Sequence, residues 1–499
     1  MNDADLVKMR ERVAGLSFES RAFIDGDYHH GASGRTVPTE NPATGEQLAA
    51  VTCCGTEDLD RAVIAARRSF DSGVWSRSSP TGRKEVLLRL ASLIESELPT
   101  LALLDCLEAG KPVAECVNTD LPETIECFRW YAELTDKIYG ETAPCPPERL
   151  SFIEREPVGV VAAVTPWNFP LLMAAWKVAP ALAAGNSVIL KPSELTSLSA
   201  VYLAGLAHSA GVPAGVFQVL PGMGEEIGAA IGRHPDIDMV AFTGSTEVGR
   251  LFLQYSAQSN LKRISLECGG KSPQVVFEDG IDIPGLIDEI CNAAFWNMGE
   301  NCSCGSRLLL QDSIAEQVLD AVAARLQDWQ PGDPLDPATR TGPMIESEHR
   351  DKVLHFVREA VVAGANLRAG TDASHPGNGY YVAPTILDAV QPEMRIAREE
   401  IFGPVLAALR FRDEEEAIQL ANATRYGLAA SVYTRDFGRA HRVARKLRAG
   451  TVSINCFSEG SIATPFGGFG ESGFGSRDKG KQAYDQYCEL KTIWASLAP

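Results

Sequence analysis

The chain carries no hydrophobic stretch long enough to cross a bilayer. Its most apolar run, residues 158–167, contains Pro166 and is roughly half the length a spanning helix needs. Residues 1–30 mix charged with apolar side chains and hold no signal-type hydrophobic core, so a soluble, cytoplasmic chain is expected. Positive charge is also short. Lys and Arg number 46 against 65 Asp and Glu, a net charge of −19. Such a surface repels polyphosphate backbones and anionic membranes, so neither nucleic acid nor membrane is an expected partner. Histidine is scarce, with 8 in 499 residues and none at metal-ligand spacing, so no metal site is expected. The 12 cysteines are scattered through a long chain and do not form a disulfide framework. Internal repeats and low-complexity tracts are missing too. What remains is ordinary globular composition, 45% hydrophobic and 22% charged. At typical domain sizes of roughly 150 residues it makes two to three domains.

Between residues 158 and 269, short β-branched runs alternate with helical patterns. Strands are predicted at 159–164, 187–190, 216–220, 239–243 and 263–267, with helices at 171–184, 199–210, 225–232 and 247–258. Near-continuous apolar strands of this kind are buried on both faces of a parallel sheet, which makes this a doubly wound α/β domain. A second α/β series follows. Its strands are 272–277, 307–311, 366–369, 405–410, 430–433 and 451–455, and its helices 314–327, 347–363, 413–423 and 435–447. Two segments fit neither series: 138–155, rich in Pro and Glu, and the strand-like tail 484–494. Two readings stand for them, an arm that builds an oligomer by strand addition, or a local hairpin and a frayed terminus.

Six stretches are candidates for chemistry. Thr243-Gly244-Ser245-Thr246-Glu247-Val248-Gly249 follows a strand and opens a helix, where free N–H groups and the helix dipole favour an anion. It satisfies neither of the common glycine-rich nucleotide fingerprints. Lys191-Pro192-Ser193-Glu194 ends a strand at the edge where open α/β sheets bind ligands, and Glu194 there favours ribose hydroxyls over a 2′-phosphate. Asn301-Cys302-Ser303-Cys304 places a cysteine in a small polar loop, a nucleophile candidate. Glu267, before Cys268 and the Gly269-Gly270 pair, is a candidate general base. Trp167-Asn168-Phe169, stiffened by Pro166 and Pro170, aims an amide from a strand end. Glu399-Glu400-Ile401-Phe402-Gly403-Pro404 is the sixth. Singly, each reads as well as a tight turn, a helix cap, a core thiol or a solvated carboxylate.

Taken together and in this order, PWNFP, KPSE, FTGSTEVG, the glycines after Glu267, the Cys302 loop, EEIFGPV and Pro465-Phe466-Gly467-Gly468 resemble the aldehyde dehydrogenase superfamily over essentially the whole chain. The resemblance implies an aldehyde dehydrogenase-like fold of two Rossmann-like doubly wound domains with a β oligomerisation arm. Residues 1–137 and 156–267 would form the NAD-binding domain, 268–475 the catalytic domain, and 138–155 with 476–499 the arm of a dimer or tetramer. It implies Cys302 as nucleophile, Asn168 with the Cys302 amide as oxyanion hole, Glu267 as base for thioester hydrolysis and Lys177 as a proton relay. NAD would be held by Trp167, Lys191, Glu194, Gly244, Ser245, Gly249, Glu400 and Phe402.

Within the superfamily, the Cys302 loop and the ending Glu489-Leu490-Lys491-Thr492-Ile493-Trp494 look most like bacterial enzymes that oxidise gamma-glutamyl-gamma-aminobutyraldehyde or amino- and guanidino-butyraldehydes. Asp120 and Glu123, three apart on one predicted helix face, align with acids at the substrate entrance of plant aminoaldehyde dehydrogenases. An ordinary solvated acidic face is the alternative. Met173, Trp176, Phe295, Phe457 and Phe466 are expected to wall the substrate tunnel.

Four points depart from the family pattern or add to it. Glu300 stands where Gln is common and is expected to raise the Cys302 pKa unless screened. Cys268 replaces a common Leu, with packing consequences only. The stretch 472–477 carries one extra residue. Cys304 is a possible oxidative partner for Cys302, across strained i,i+2 geometry. Two other functions stay open: a broad-specificity or betaine-aldehyde-type dehydrogenase, and a non-catalytic protein on the same fold.

Overall fold

The computed structural model describes residues 11–13, 15–371, 378–475 and 477–497. Ser476 of the 472–477 stretch lies outside these, as do the first ten residues of the expected cofactor domain and the last two of the expected arm.

The first sheet has eight strands, in the order Gly473–Phe474, Arg263–Glu267, Met239–Thr243, Val160–Val164, Ser187–Lys191, Phe217–Val219, Ala22–Ile24, Asp27–His29. Its five central strands run parallel. The outer ones are antiparallel additions from the chain's two ends. Val160–Val164 and Ser187–Lys191 are buried at every position. Their alternate residues enter different cores. Val161, Ala163, Val188 and Leu190 join one hydrophobic cluster, and Val160, Ala162, Val164 and Ile189 the other. A two-residue side-chain period with apolar residues at every position leaves only the both-faces-covered solution.

The second sheet has seven strands, in the order Asn366–Ala369, Thr385–Asp388, Val405–Phe411, Arg307–Gln311, Pro273–Val276, Ala429–Tyr433, Thr451–Ile454. All pairs are parallel except the first. Thr385–Asp388 was not expected. It is four residues long and follows Pro384, so it shows too little pattern to be read. The expected helix at 225–232 is a π-helical turn, Gly224–Gly228, running into Ala229–Arg233.

The two leftover segments pair with each other. Cys488–Ser496 lies antiparallel to Arg149–Pro157, from Cys488 opposite Pro157 to Ser496 opposite Arg149, and Glu141–Thr142 completes a three-stranded sheet. A short helix, Gly480–Gln486, leads into the last strand. Leu150, Leu490 and Trp494 on this sheet are exposed. Among the described residues no helix is long and apolar enough to cross a membrane, and no group of side chains could hold a metal ion.

Candidate active site

Parallel register sets the site. Val164 pairs with Lys191, Phe242 with Val164, and Thr243 with Glu267, so these strands finish at one edge of the sheet. The residues that follow them therefore converge. A cavity of about 600 Å³ opens there, against the loop from the second sheet that carries Cys302. Its wall includes Trp167, Asn168, Met173, Trp176, Gly244, Ser245, Glu267, Cys302, Glu400, Phe402, Phe457 and Phe466, with Glu123 at its edge.

Cys302 is half-buried and faces this space. Burial pushes its thiol above the usual range, and Glu459, Glu400 and Glu267 push it further. The chain reverses just before it. Asn297 and Met298 both hold left-handed backbone, φ 51° and 57°, a conformation costly for non-glycine residues and typical of functional sites.

Asn168 is buried, and its Nδ2 donates to the Glu300 carbonyl at 2.9 Å. That bond fixes the amide rotamer with one N–H and leaves the other for a ligand. The Glu267 carboxyl is buried, and neither oxygen makes a hydrogen bond of ordinary geometry within the protein. Burial raises its pKa well above the carboxylate range and Asp478 adds to this, while Lys177 and Arg477 oppose it. Gly467, at φ 149°, leaves the space this carboxyl needs, since a Cβ there would collide with Glu267 Oε1.

Of the charges acting on Glu267, Lys177 Nζ binds Asp478 Oδ2 at 2.8 Å, with both side chains buried. Lys177 thus lies outside the wall, one carboxylate away from it. Asp478 lines the cavity and escaped sequence reading. Its only signal was a charged triplet, Arg477-Asp478-Lys479, after a glycine-rich stretch.

On the cofactor side, Ser245 caps the helix Thr246–Ala257, its Oγ accepting from the Val248 N–H at 3.3 Å. Glu400 folds onto the paired glycines. The Gly270 N–H donates to its Oε1 at 3.0 Å, and any Cβ at Gly269 would overlap the carboxylate. Burial raises Glu400 to about 7. Lys191 and Glu194 form an ion pair of 2.7 Å at the same sheet edge, and neither lines the cavity. His349 and Lys352, three apart on the helix Ser347–Val362, also line the cavity and were missed, because nothing but helical spacing joins them. His349 meets both Trp167 and Phe402 edge-on, and burial lowers its pKa to about 4.

Several expectations need correction. Phe295 is fully buried in the second domain's core against Trp329 and is no tunnel wall. Asp120 is 1% exposed and pairs with Lys111 at 2.6 Å, so it reaches no entrance and lies on no solvated face. Gly249 does not reach the cavity. A Cβ there would sit 3.1 Å from Cys268 Sγ, so this glycine lets the helix close on its strand. The charges that chiefly raise Cys302 are Glu459, Glu400 and Glu267, and Glu300 turns its carboxyl to other partners. Its Oε1 accepts from the Ile345 N–H at 3.1 Å and lies 3.6 Å from His349. Cys304 turns its thiol away, onto the Ala294 carbonyl at 3.4 Å, and burial pushes it up to about 12.

The substrate side also holds groups that no motif flagged. Glu115 binds Trp296 Nε1 at 2.9 Å. Glu459 binds the Ser303 hydroxyl, and its backbone carbonyl accepts from Lys479 Nζ at 2.8 Å. Glu123, which the sequence did point to, lines the same cavity, and burial raises it to about 7, with Glu459 adding to the shift.

Comparison with known proteins agrees with this arrangement. The profile of the aldehyde dehydrogenase family matches residues 28–493. An aminoacetaldehyde dehydrogenase of Pseudomonas aeruginosa is 53% identical over 484 residues, 97% of each chain. The crystal structure of a gamma-glutamyl-gamma-aminobutyraldehyde dehydrogenase from Burkholderia cenocepacia superposes with a TM-score of 0.95 at 47% identity, covering 99% of both chains. An indole-3-acetaldehyde dehydrogenase of P. syringae, solved with NAD+ and IAA, gives 0.97 at 46% identity, again over 99% of both chains. The chain belongs to the aldehyde dehydrogenase family.

Proposed function

We propose that this chain oxidises an omega-amino, guanidino or gamma-glutamylamino aldehyde to its carboxylic acid with NAD. The observation that carries the reading is one cavity that holds Cys302, Asn168 and Glu267 together. The residues present suit the cofactor. A helix N-terminus at Ser245, a carboxylate folded onto Gly269-Gly270 and the aromatic pair Trp167–Phe402, 5.2 Å apart, offer an anion site, a hydroxyl acceptor and a ring wall. Trp167, Gly244, Ser245, Glu400 and Phe402 would contact it, with Lys191 and Glu194 on the adenosine ribose. NAD, when bound, accepts the hydride released from the tetrahedral adduct.

The chain's own groups supply the rest. Cys302 adds to the aldehyde carbon as thiolate. The Asn168 amide and the Cys302 N–H stabilise the alkoxide, each donor typically worth about 3–4 kcal/mol of barrier. Loss of hydride leaves a thioester on Cys302. Glu267 then takes a proton from water, whose oxygen adds to the acyl carbon and releases the carboxylic acid and the Cys302 thiolate. We assign the onward transfer of that proton to Asp478 and Lys177, the buried pair whose charges act on Glu267.

Glu123, Glu115 and Glu459 make the substrate end acidic, which supports a cationic tail. Met173, Trp176, Phe457 and Phe466 wall the tunnel. We divide the chain into a cofactor domain (1–137 and 156–267), a catalytic domain (268–475) and an arm (138–155 and 476–499). The exposed Leu490 and Trp494 support a dimer or tetramer built through that arm. Twelve free cysteines support a reducing compartment, the cytoplasm.

The test is a kinetic panel with NAD: aminoacetaldehyde, gamma-glutamyl-gamma-aminobutyraldehyde, indole-3-acetaldehyde and propionaldehyde. The reading expects the highest kcat/KM among the amine-bearing aldehydes. A preference for propionaldehyde would favour a generalist, and no NADH from any member would remove the activity itself.

A further inference from the structure

Lys111 is 1% exposed and the reaction does not use it. It follows Gly110, which ends the helix Leu98–Ala109 in left-handed backbone, φ 70°. Three partners surround its ammonium. Asp120 Oδ2 lies at 2.6 Å. The backbone carbonyl of Asn168 accepts from Nζ at 3.0 Å. The Phe169 ring centroid lies 3.6 Å from Nζ. Two of the three therefore belong to the turn that carries Asn168. Asn297 Nδ2 donates to the same carbonyl at 3.3 Å and to the Glu300 carbonyl at 2.9 Å, tying that turn to the Cys302 loop.

Asp120 reaches inward because the helix ahead of it is irregular. Cys116–Asp120 is a π-helical turn between Val113–Glu115 and Leu121–Leu134. The wider turn rotates its last residue relative to an α-helix. A buried ion pair is a poor source of stability, because desolvating two charges offsets their attraction. It is an effective source of geometry, because only one arrangement satisfies it. We propose that the Lys111–Asp120 pair is a clamp that positions Asn168, holding its backbone carbonyl so that the side-chain amide faces the Cys302 adduct. The proposal rests on the reading of Asn168 as an oxyanion donor.

The test compares the NADH burst rate constant of the intact enzyme with those of Lys111→Met, Asn168→Ala and the double variant, at saturating NAD and aldehyde. A misplaced donor loses most of its effect, so Lys111→Met should slow the burst by about 10- to 100-fold. NAD affinity and aldehyde KM should change by less than about threefold. Because Lys111 acts through Asn168, the double variant should be no more than about twofold slower than Asn168→Ala alone. Lys111→Arg, which keeps the charge, should recover part of the rate. Losses that multiply in the double variant overturn the clamp, as does an unchanged burst in Lys111→Met. If Asn168→Ala alone leaves the burst unchanged, the oxyanion reading falls and takes the clamp with it. If Lys111→Met does not fold, Asp120→Asn with and without Asn168→Ala gives the same comparison. Multiplying losses there overturn the proposal equally.

Discussion

Replacing Asn168 by alanine isolates the stabilisation of the tetrahedral adduct. The structure fixes what the change removes. One amide N–H is engaged with the Glu300 carbonyl, and that carbonyl keeps a second donor, Asn297 Nδ2 at 2.9 Å. No buried acceptor is orphaned, so the folding penalty is that of an ordinary hydrogen bond, about 1 kcal/mol, and the variant should fold. The other N–H is the proposed oxyanion donor. Such a donor in a water-poor site contributes about 3–4 kcal/mol, so its removal should slow adduct formation and hydride release by about 10²- to 10³-fold. Stopped-flow absorbance of NADH at saturating NAD reads this step before hydrolysis limits turnover. The thermal midpoint should fall by only a few degrees. A burst slowed less than about fivefold in a folded variant would refute the assignment.

Glu267→Gln should keep a burst of about one NADH per site and lose about 10²- to 10⁴-fold in steady-state turnover, as seen by comparing burst and steady-state phases. Burial keeps Glu267 protonated to higher pH than an exposed carboxyl, and only its ionised form is a base. Turnover should therefore go on climbing with pH beyond the range in which an exposed carboxyl is already ionised, and this limb should vanish in Glu267→Gln. A flat profile in the intact enzyme contradicts it. Of the charges that raise the Cys302 thiol, Glu459 ranks first, so Glu459→Gln should move the midpoint of iodoacetamide alkylation to lower pH. Glu194→Ser should improve the kcat/KM ratio of NADP to NAD by roughly tenfold, because it removes the carboxylate that repels a 2′-phosphate.

The sheets were legible because their chemistry is one-dimensional. Val160–Val164 and Met239–Thr243 are short apolar runs between turns, and burial on both faces leaves them no other reading. The residues at their ends were legible for the same reason, since a known strand end says which edge a loop joins. What failed depended on angles that residue types do not encode. Asp120 and Glu123 are three apart, yet the π turn at Cys116–Asp120 sends one into the core and leaves the other on the cavity wall. Phe295 ends a helix just before the reversal at Asn297 and Met298, and that reversal carries the following loop to the cavity without it. Glu459, Lys479 and Asp478 come from irregular loops with no period, and only long-range packing reveals them. Lys479 itself holds left-handed backbone, φ 59°, with its ammonium 4.8 Å from the Trp176 ring centroid.

The central claim is that the sulfur of residue 302 carries the acyl group between oxidation and hydrolysis. Acid-quenched Glu267→Gln, mixed with NAD and an amine-bearing aldehyde and digested for mass spectrometry, tests it most directly. The account predicts a stoichiometric mass gain, equal to the acyl group less one hydrogen, on the peptide containing Cys302. NADH formed with no acyl mass on that peptide, or with the mass on another residue, would contradict it.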